Sequence, residues 1–168
     1  MKKTYVGMLV LAVSLLGLTS CKVSTDQIKM IANAVGLFSS VTWVAVDNPP
    51  MIAKQGVITV LTVVSDSAQK VSASNTYTEV IYPLVVTVID TQVAAQYRPL
   101  CKAGTAMLLG QLDLLFASHP EWKTNQDIAL DVTVAFCTGA EQGLLLSDTD
   151  PIIVQAKKNA TLRLSIKK

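Results

Sequence analysis

Residues 98–120, RPLCKAGTAMLLGQLDLLFASHP, decide the fold class. Leu100, Met107, Leu108, Leu112, Leu115 and Phe116 recur at three- and four-residue steps, while Lys102, Gln111 and Asp113 fall off that stripe. Such spacing gathers apolar side chains on one face of a helix and leaves the charged ones outside. The stretch restarts the chain after Arg98-Pro99 and stops at His119-Pro120, because proline lacks an amide hydrogen and holds its predecessor away from helical geometry.

The same period extends in both directions. Upstream, Ile28, Ile31, Val35, Phe38, Thr42 and Val46 form a stripe, with Ser24, Thr25 and Asp26 as capping candidates and Asn48-Pro49-Pro50 as its end. A second helix is expected from Pro50 with Val57, Val60, Leu61, Val64, Ala68 and Val71 on one face. Its core is so rich in β-branched residues that a buried strand competes. Residues 72–76 are polar and read as a linker. Tyr77, Ile81, Leu84, Val85, Val88 and Ile89 resume the helical step, with Pro83 either in a first turn or at a bend. Beyond Trp122, Thr124 or Asn125 caps a helix carrying Ile128, Val132, Ala135, Phe136 and Leu144, in which Gly139 and Gly143 weaken the helix or admit a close neighbour. Residues 147–151, SDTDP, start a last short helix over about 152–159; Leu162, Leu164 and Ile166 then alternate as an edge strand or extended tail would. The expected architecture is all-α, a single compact bundle of five or six helices, with α+β as the alternative. Residues 30–46 are uncharged and close to spanning length, but their amphipathic pattern and Asn33, Ser39, Ser40 and Thr42 favour a core helix over a membrane span.

The chain begins differently. Lys2 and Lys3 precede a nearly continuous apolar run from Val6 to Leu18, which ends in Leu18-Thr19-Ser20-Cys21. A cationic start, a short apolar core and small residues before a cleavage point are the parts of an export signal. This segment resembles the signal peptides of bacterial lipoproteins, whose lipobox has an aliphatic residue, two small or hydroxylic ones and a cysteine. The resemblance covers about twenty residues and implies that Cys21 becomes the acylated N-terminus. A plain secretory signal, leaving Cys21 a free or paired thiol, is the competing reading. The resemblance also implies an address. Lys22 stands where an aspartate commonly signals inner-membrane retention, so the outer membrane facing the periplasm is expected in a two-membrane cell, and the outer face of the cell membrane otherwise.

On this reading residues 1–20 are the signal, 21–26 the lipidated anchor and tether, 27–160 the helical domain and 161–168 a basic tail. The whole chain has fourteen basic and twelve acidic residues. Loss of Lys2 and Lys3 balances them, so nucleic acid is not an expected partner. Acids concentrate between 103 and 150, whereas Lys157, Lys158, Arg163, Lys167 and Lys168 lie beyond with no acid among them. That end reads as a solvated tail or as a contact with anionic headgroups or an acidic partner. With Cys21 committed to lipid, Cys101 and Cys137 are expected to pair in an oxidising compartment; two buried thiols are the alternative.

Candidate chemistry is sparse. His119 is the sole histidine and reads as a helix-end residue, and neither zinc spacing nor a phosphate-binding glycine loop occurs, Gly104 and Gly110 lying within a helix. Asp127 and Asp131 share a helix face and read as solvated charges, a carboxylate pair being the alternative. Asp148 and Asp150 lack the glycine and glutamate of a calcium loop and read as caps. Trp122 packs over the bundle end or marks an interface. The expectation is therefore a non-catalytic, lipid-anchored envelope protein that binds, assembles or scaffolds another envelope component, with no metal and no cofactor beyond the covalent lipid. The rivals are a carrier of an apolar ligand or lipid and a cell-wall hydrolase using Asp127 and Asp131.

Overall fold

The computed structural model describes residues 24–71 and 74–165, with side chains as far as Asn159. Cys21 and the signal segment lie outside the described residues, as do Lys167 and Lys168 and the side chain of Arg163. Among the described residues are eight α-helices and no strand: α1 Thr25–Asp47, α2 Met51–Ser67, α3 Tyr77–Val80, α4 Tyr82–Gln92, α5 Arg98–Ser118, α6 Pro120–Thr124, α7 Gln126–Leu145 and α8 Pro151–Ser165. The protein is an all-α bundle.

The helix boundaries follow the chemistry of their ends. Ser24 accepts from the Gln27 amide while the Gln27 side chain accepts in return from the Ser24 amide, a reciprocal capping box that starts α1. Asn48 ends α1 with a left-handed φ of 43°, a conformation asparagine tolerates better than most side chains. Pro50 is the N-cap of α2, and Pro83 sits in the first turn of α4 just after a break at Ile81. Asn125 caps α7 through the Asp127 and Ile128 amides, and the Asp150 carboxylate accepts from the Ile152 amide at the start of α8. The β-branched centre of α2 is helical because Val57, Val60, Leu61 and Val64 all enter the core, where burial outweighs a propensity difference of a few tenths of a kcal/mol per residue. Two features depart from expectation. α8 runs on to Ser165, so the alternating Leu162 and Leu164 belong to helical backbone; no neighbouring strand exists among the described residues to pair with an extended segment. The short α3 and α6 occupy stretches expected to be a helix start and a loop.

Four helices form the body. α1 lies between α7 and α5, and α2 lies between the same two on the opposite corner, so α1 and α2 are diagonal although consecutive in sequence. Contacts fix the directions. Lys29 meets Asp131, Asn33 meets Ala135, Gly36 meets Phe136 and Ala140, and Ser40 meets Gly143, so α1 and α7 run parallel in a constant register. α5 runs the other way, with Gly104 under the Trp43 ring and Phe116 stacked on Tyr77, which bonds Thr133 near the start of α7. α2 shares that direction, since Ala53 meets Cys101 and Ser65 meets Cys137.

Glycine explains the closeness of α1 and α7. A Cβ on Gly36 would stand 2.0 Å from the Phe136 carbonyl oxygen, and one on Gly139 would stand 1.9 Å from that of Asn33. Only hydrogen fits at either place, so the small residues of Gly139-x-x-x-Gly143 and of Gly36 and Ser40 let two backbones touch. α1, residues Ala95–Ser118 and α7 are each long and apolar enough to cross a membrane by length and composition. In the bundle each turns its most apolar side inward, with Ala32, Val44, Leu112 and Phe136 fully enclosed.

Candidate functional site

The bundle has two distinguishable ends. One carries the starts of α1 and α7 and the finishes of α2 and α5. The other carries the α1–α2 turn, the start of α5 and the α7–α8 turn. α1 alone separates them by about 34 Å for its 23 residues.

The second end concentrates exposed apolar side chains. Val46, Met51 and Ile52 project from the α1–α2 turn, and Leu145, Ile152 and Val154 project around the α7–α8 turn. Pro49 and Pro50 terminate α1 so abruptly that Met51 and Ile52 fall on the first, outward turn of α2. Lys157 joins the two turns, donating to Asn48 Oδ1 at 3.0 Å and to Asp148 Oδ1 at 3.2 Å. The apolar residues of both turns thus share one end of the bundle, its apolar cap, with Asp47, Asp148 and Asp150 in the same two turns. Burial raises the Asp47 carboxyl pKa, and the Trp43 indole on the preceding turn pulls it back slightly without closing a full hydrogen bond.

A shallow, open hollow of about 530 Å³ lies nearer the first end. Lys29, Met30 and Asn33 of α1 and Asp131, Val134 and Thr138 of α7 line it. The Lys29–Asp131 ion pair, 3.0 Å long with both partners part exposed, closes one side.

The sequence candidates distribute as follows. Asp131 is engaged by Lys29, and Asp127 sits in the first turn of α7 where its charge suits the helix dipole. His119 caps the end of α5, stacks on Trp122 with ring centroids 3.9 Å apart, and lies 3.3 Å from Glu121. Among the described residues no group of three metal-ligating side chains comes together. Of the two readings of Trp122, the packed one agrees with the structure: at 4 % exposure its indole in α6 lies against the His119 ring, which leaves little of it for the alternative role of a contact surface. Lys157 is committed to Asn48 and Asp148, whereas Lys158 is exposed.

The disulfide expectation is also corrected: Cys101 and Cys137 are free, buried thiols. Cys101 Sγ faces the Ala53 carbonyl, and Cys137 faces Ser65. Ala53 and Ser65 are about 18 Å apart along α2, and the two Cα atoms of a disulfide must come within about 7 Å. Pairing would require α5 and α7 to pack side by side, and they are instead diagonal. Burial pushes the Cys137 thiol up to about 12 and the Cys101 thiol upward, so neither has nucleophilic character at neutral pH.

The exposed apolar cap escapes sequence reading because Met51, Ile52, Leu145 and Ile152 look like ordinary members of helical stripes. Only the sharp turns at Asn48-Pro49-Pro50 and 146–150 reveal that they face outward. No family model, curated protein or solved structure matches the chain.

Proposed function

We propose that this protein is a lipid-anchored, non-catalytic envelope lipoprotein that binds another envelope component and serves its assembly or scaffolding. The observation that carries the reading is the apolar cap of Val46, Met51, Ile52, Leu145, Ile152 and Val154, set about 34 Å along α1 from the residues that follow Cys21. Exposed large apolar groups gathered at one end of a domain are a recurrent feature of protein-binding surfaces. The lipobox-like Leu18-Thr19-Ser20-Cys21 supports acylation of Cys21, with the outer membrane facing the periplasm as the address in a two-membrane cell and the outer face of the cell membrane otherwise. The partners are thus the membrane, through lipid, and a protein, through the cap.

The test has two parts. Intact-mass analysis of the purified full chain is expected to show loss of residues 1–20 and acyl mass on Cys21; an unmodified start overturns the anchor. Cross-linking in envelope preparations from the native chain and from Met51→Asp/Ile152→Asp is expected to give a reproducible partner that the double variant loses. Equal capture by both overturns the cap as the binding surface.

A further inference from the structure

The outward face of α1 is unusual for a helix in water. From Met30 to Val46 it carries no charge, and Met30, Ala34 and Phe38 follow one another at four-residue steps, starting at the rim of the hollow shared with α7, where Met30 stands beside Val134 and Thr138, and running along the exposed flank of α1. Met30 is 72 % exposed and Phe38 56 %, with half-buried Leu37 beside them. Thr42, further along this side, does not call for solvent: its hydroxyl donates to the Phe38 carbonyl at 2.7 Å, closed within its own helix. Met30 to Thr42 covers about 18 Å of helix.

The chain before α1 limits what can cover this face. Two residues separate Cys21 from Ser24, the N-cap, and a chain step spans at most about 3.6 Å, so Ser24 lies within about 11 Å of the Cys21 backbone. An acyl group on Cys21 therefore brings the start of α1 to the headgroup layer, and Met30 follows less than two turns later.

We propose that the Met30–Ala34–Phe38 stripe rests in the bilayer interface, so that the bundle lies with the outer side of α1 against the membrane instead of swinging freely on its tether. This inference rests on acylation of Cys21. A long helix whose apolar side meets the acyl boundary gains burial of that side, and this second contact fixes the orientation of a body that the lipid alone would only tether. The remaining sides of the bundle stay in water, including α4, which packs on α2 and α5 at the corner diagonal to α1. The bilayer fits better than a protein here because the stripe begins where the tether ends, whereas the apolar cap lies a full helix length away.

The experiment places a nitroxide spin label at Met30→Cys or Phe38→Cys in the full chain, with Leu84→Cys on α4 as the water-facing reference; the native thiols Cys101 and Cys137 are buried. The protein is reconstituted in vesicles of phosphatidylethanolamine and phosphatidylglycerol, and collisions with oxygen and with an aqueous nickel complex are measured. Labels at Met30 and Phe38 are expected to lose nickel collisions and gain oxygen collisions relative to Leu84. Equal nickel access at all three sites in acylated, vesicle-bound protein overturns this inference while leaving the anchor intact. A chain that carries no acyl group and does not float with vesicles overturns the anchor itself. Labels shielded from both reagents in native envelopes, but open to nickel in pure lipid vesicles, assign the stripe to a protein and also overturn the proposal.

Discussion

Glycines of one chain have opposite consequences according to what stands beside them. Gly139→Ala drives a methyl into the Asn33 backbone and Gly36→Ala drives one into the Phe136 backbone; neither neighbour can rotate away. Each is expected to lower stability by about 1–3 kcal/mol through overpacking, read as a fall in the urea midpoint. Gly110, within α5, has nothing within 4 Å of the place a methyl would occupy, so Gly110→Ala is expected to raise stability by about 0.5–1 kcal/mol by the same measurement. A carboxyl on α7 gives a pH dependence. Burial raises the Glu141 pKa, so the folded chain holds that proton more tightly than the unfolded one. Its contribution is present in full below the ordinary carboxyl value of 4.5 and declines as pH rises through the raised folded value. Glu141→Gln is therefore expected to melt above the native chain at pH 7 and level with it near pH 4 in thermal scans. The buried thiols allow a direct count: Cys101 and Cys137 are expected to resist an aromatic disulfide reagent in the native protein and both to react in denaturant without prior reduction.

At the scale of elements, one carboxylate organises the shortest helix. Asp113 of α5 accepts from the Tyr77 amide at 2.6 Å, the Thr78 amide at 3.0 Å and the Thr78 hydroxyl at 2.6 Å, so a residue outside α3 satisfies its opening donors. Asp113→Ala is expected to cost about 1–2 kcal/mol and to raise amide exchange first at Tyr77 and Thr78. The long helices are legible in sequence because their stripes run for five turns: α5 begins at Arg98-Pro99 and ends before His119 as its prolines and period require. Capping chemistry places the starts of α1 and α7 equally well. α3 and α6 are not legible, since five residues or fewer carry no period and Asp113 contributes from 35 residues away. The end of α8 departs from its extended reading because Leu162, Leu164 and Ile166 alternate in a short basic segment, and alternation in three residues does not exclude a helix. The apolar cap is hidden for a related reason: periodicity shows which face of a helix is apolar, and turn geometry decides whether the last residue of that face is covered.

For the whole molecule, composition and the helical period suffice for the all-α class, while the order of helices around the core does not follow from them. Joined helices ordinarily pack as antiparallel neighbours, an arrangement in which Cys101 and Cys137 could meet. The glycine contacts instead select α7 as the partner of α1, leaving α2 diagonal to α1 and the two cysteines at separate places along α2. That choice has a consequence in time. α1 emerges first from any N-to-C process, yet its closest companion begins about a hundred residues later, so at roughly 5–20 residues per second the contact waits some 5–20 s for the rest of the chain to be made. Until residues 126–145 arrive, Gly36 has no α7 backbone to close against. The tightest contact in the bundle is therefore among the last that synthesis makes possible.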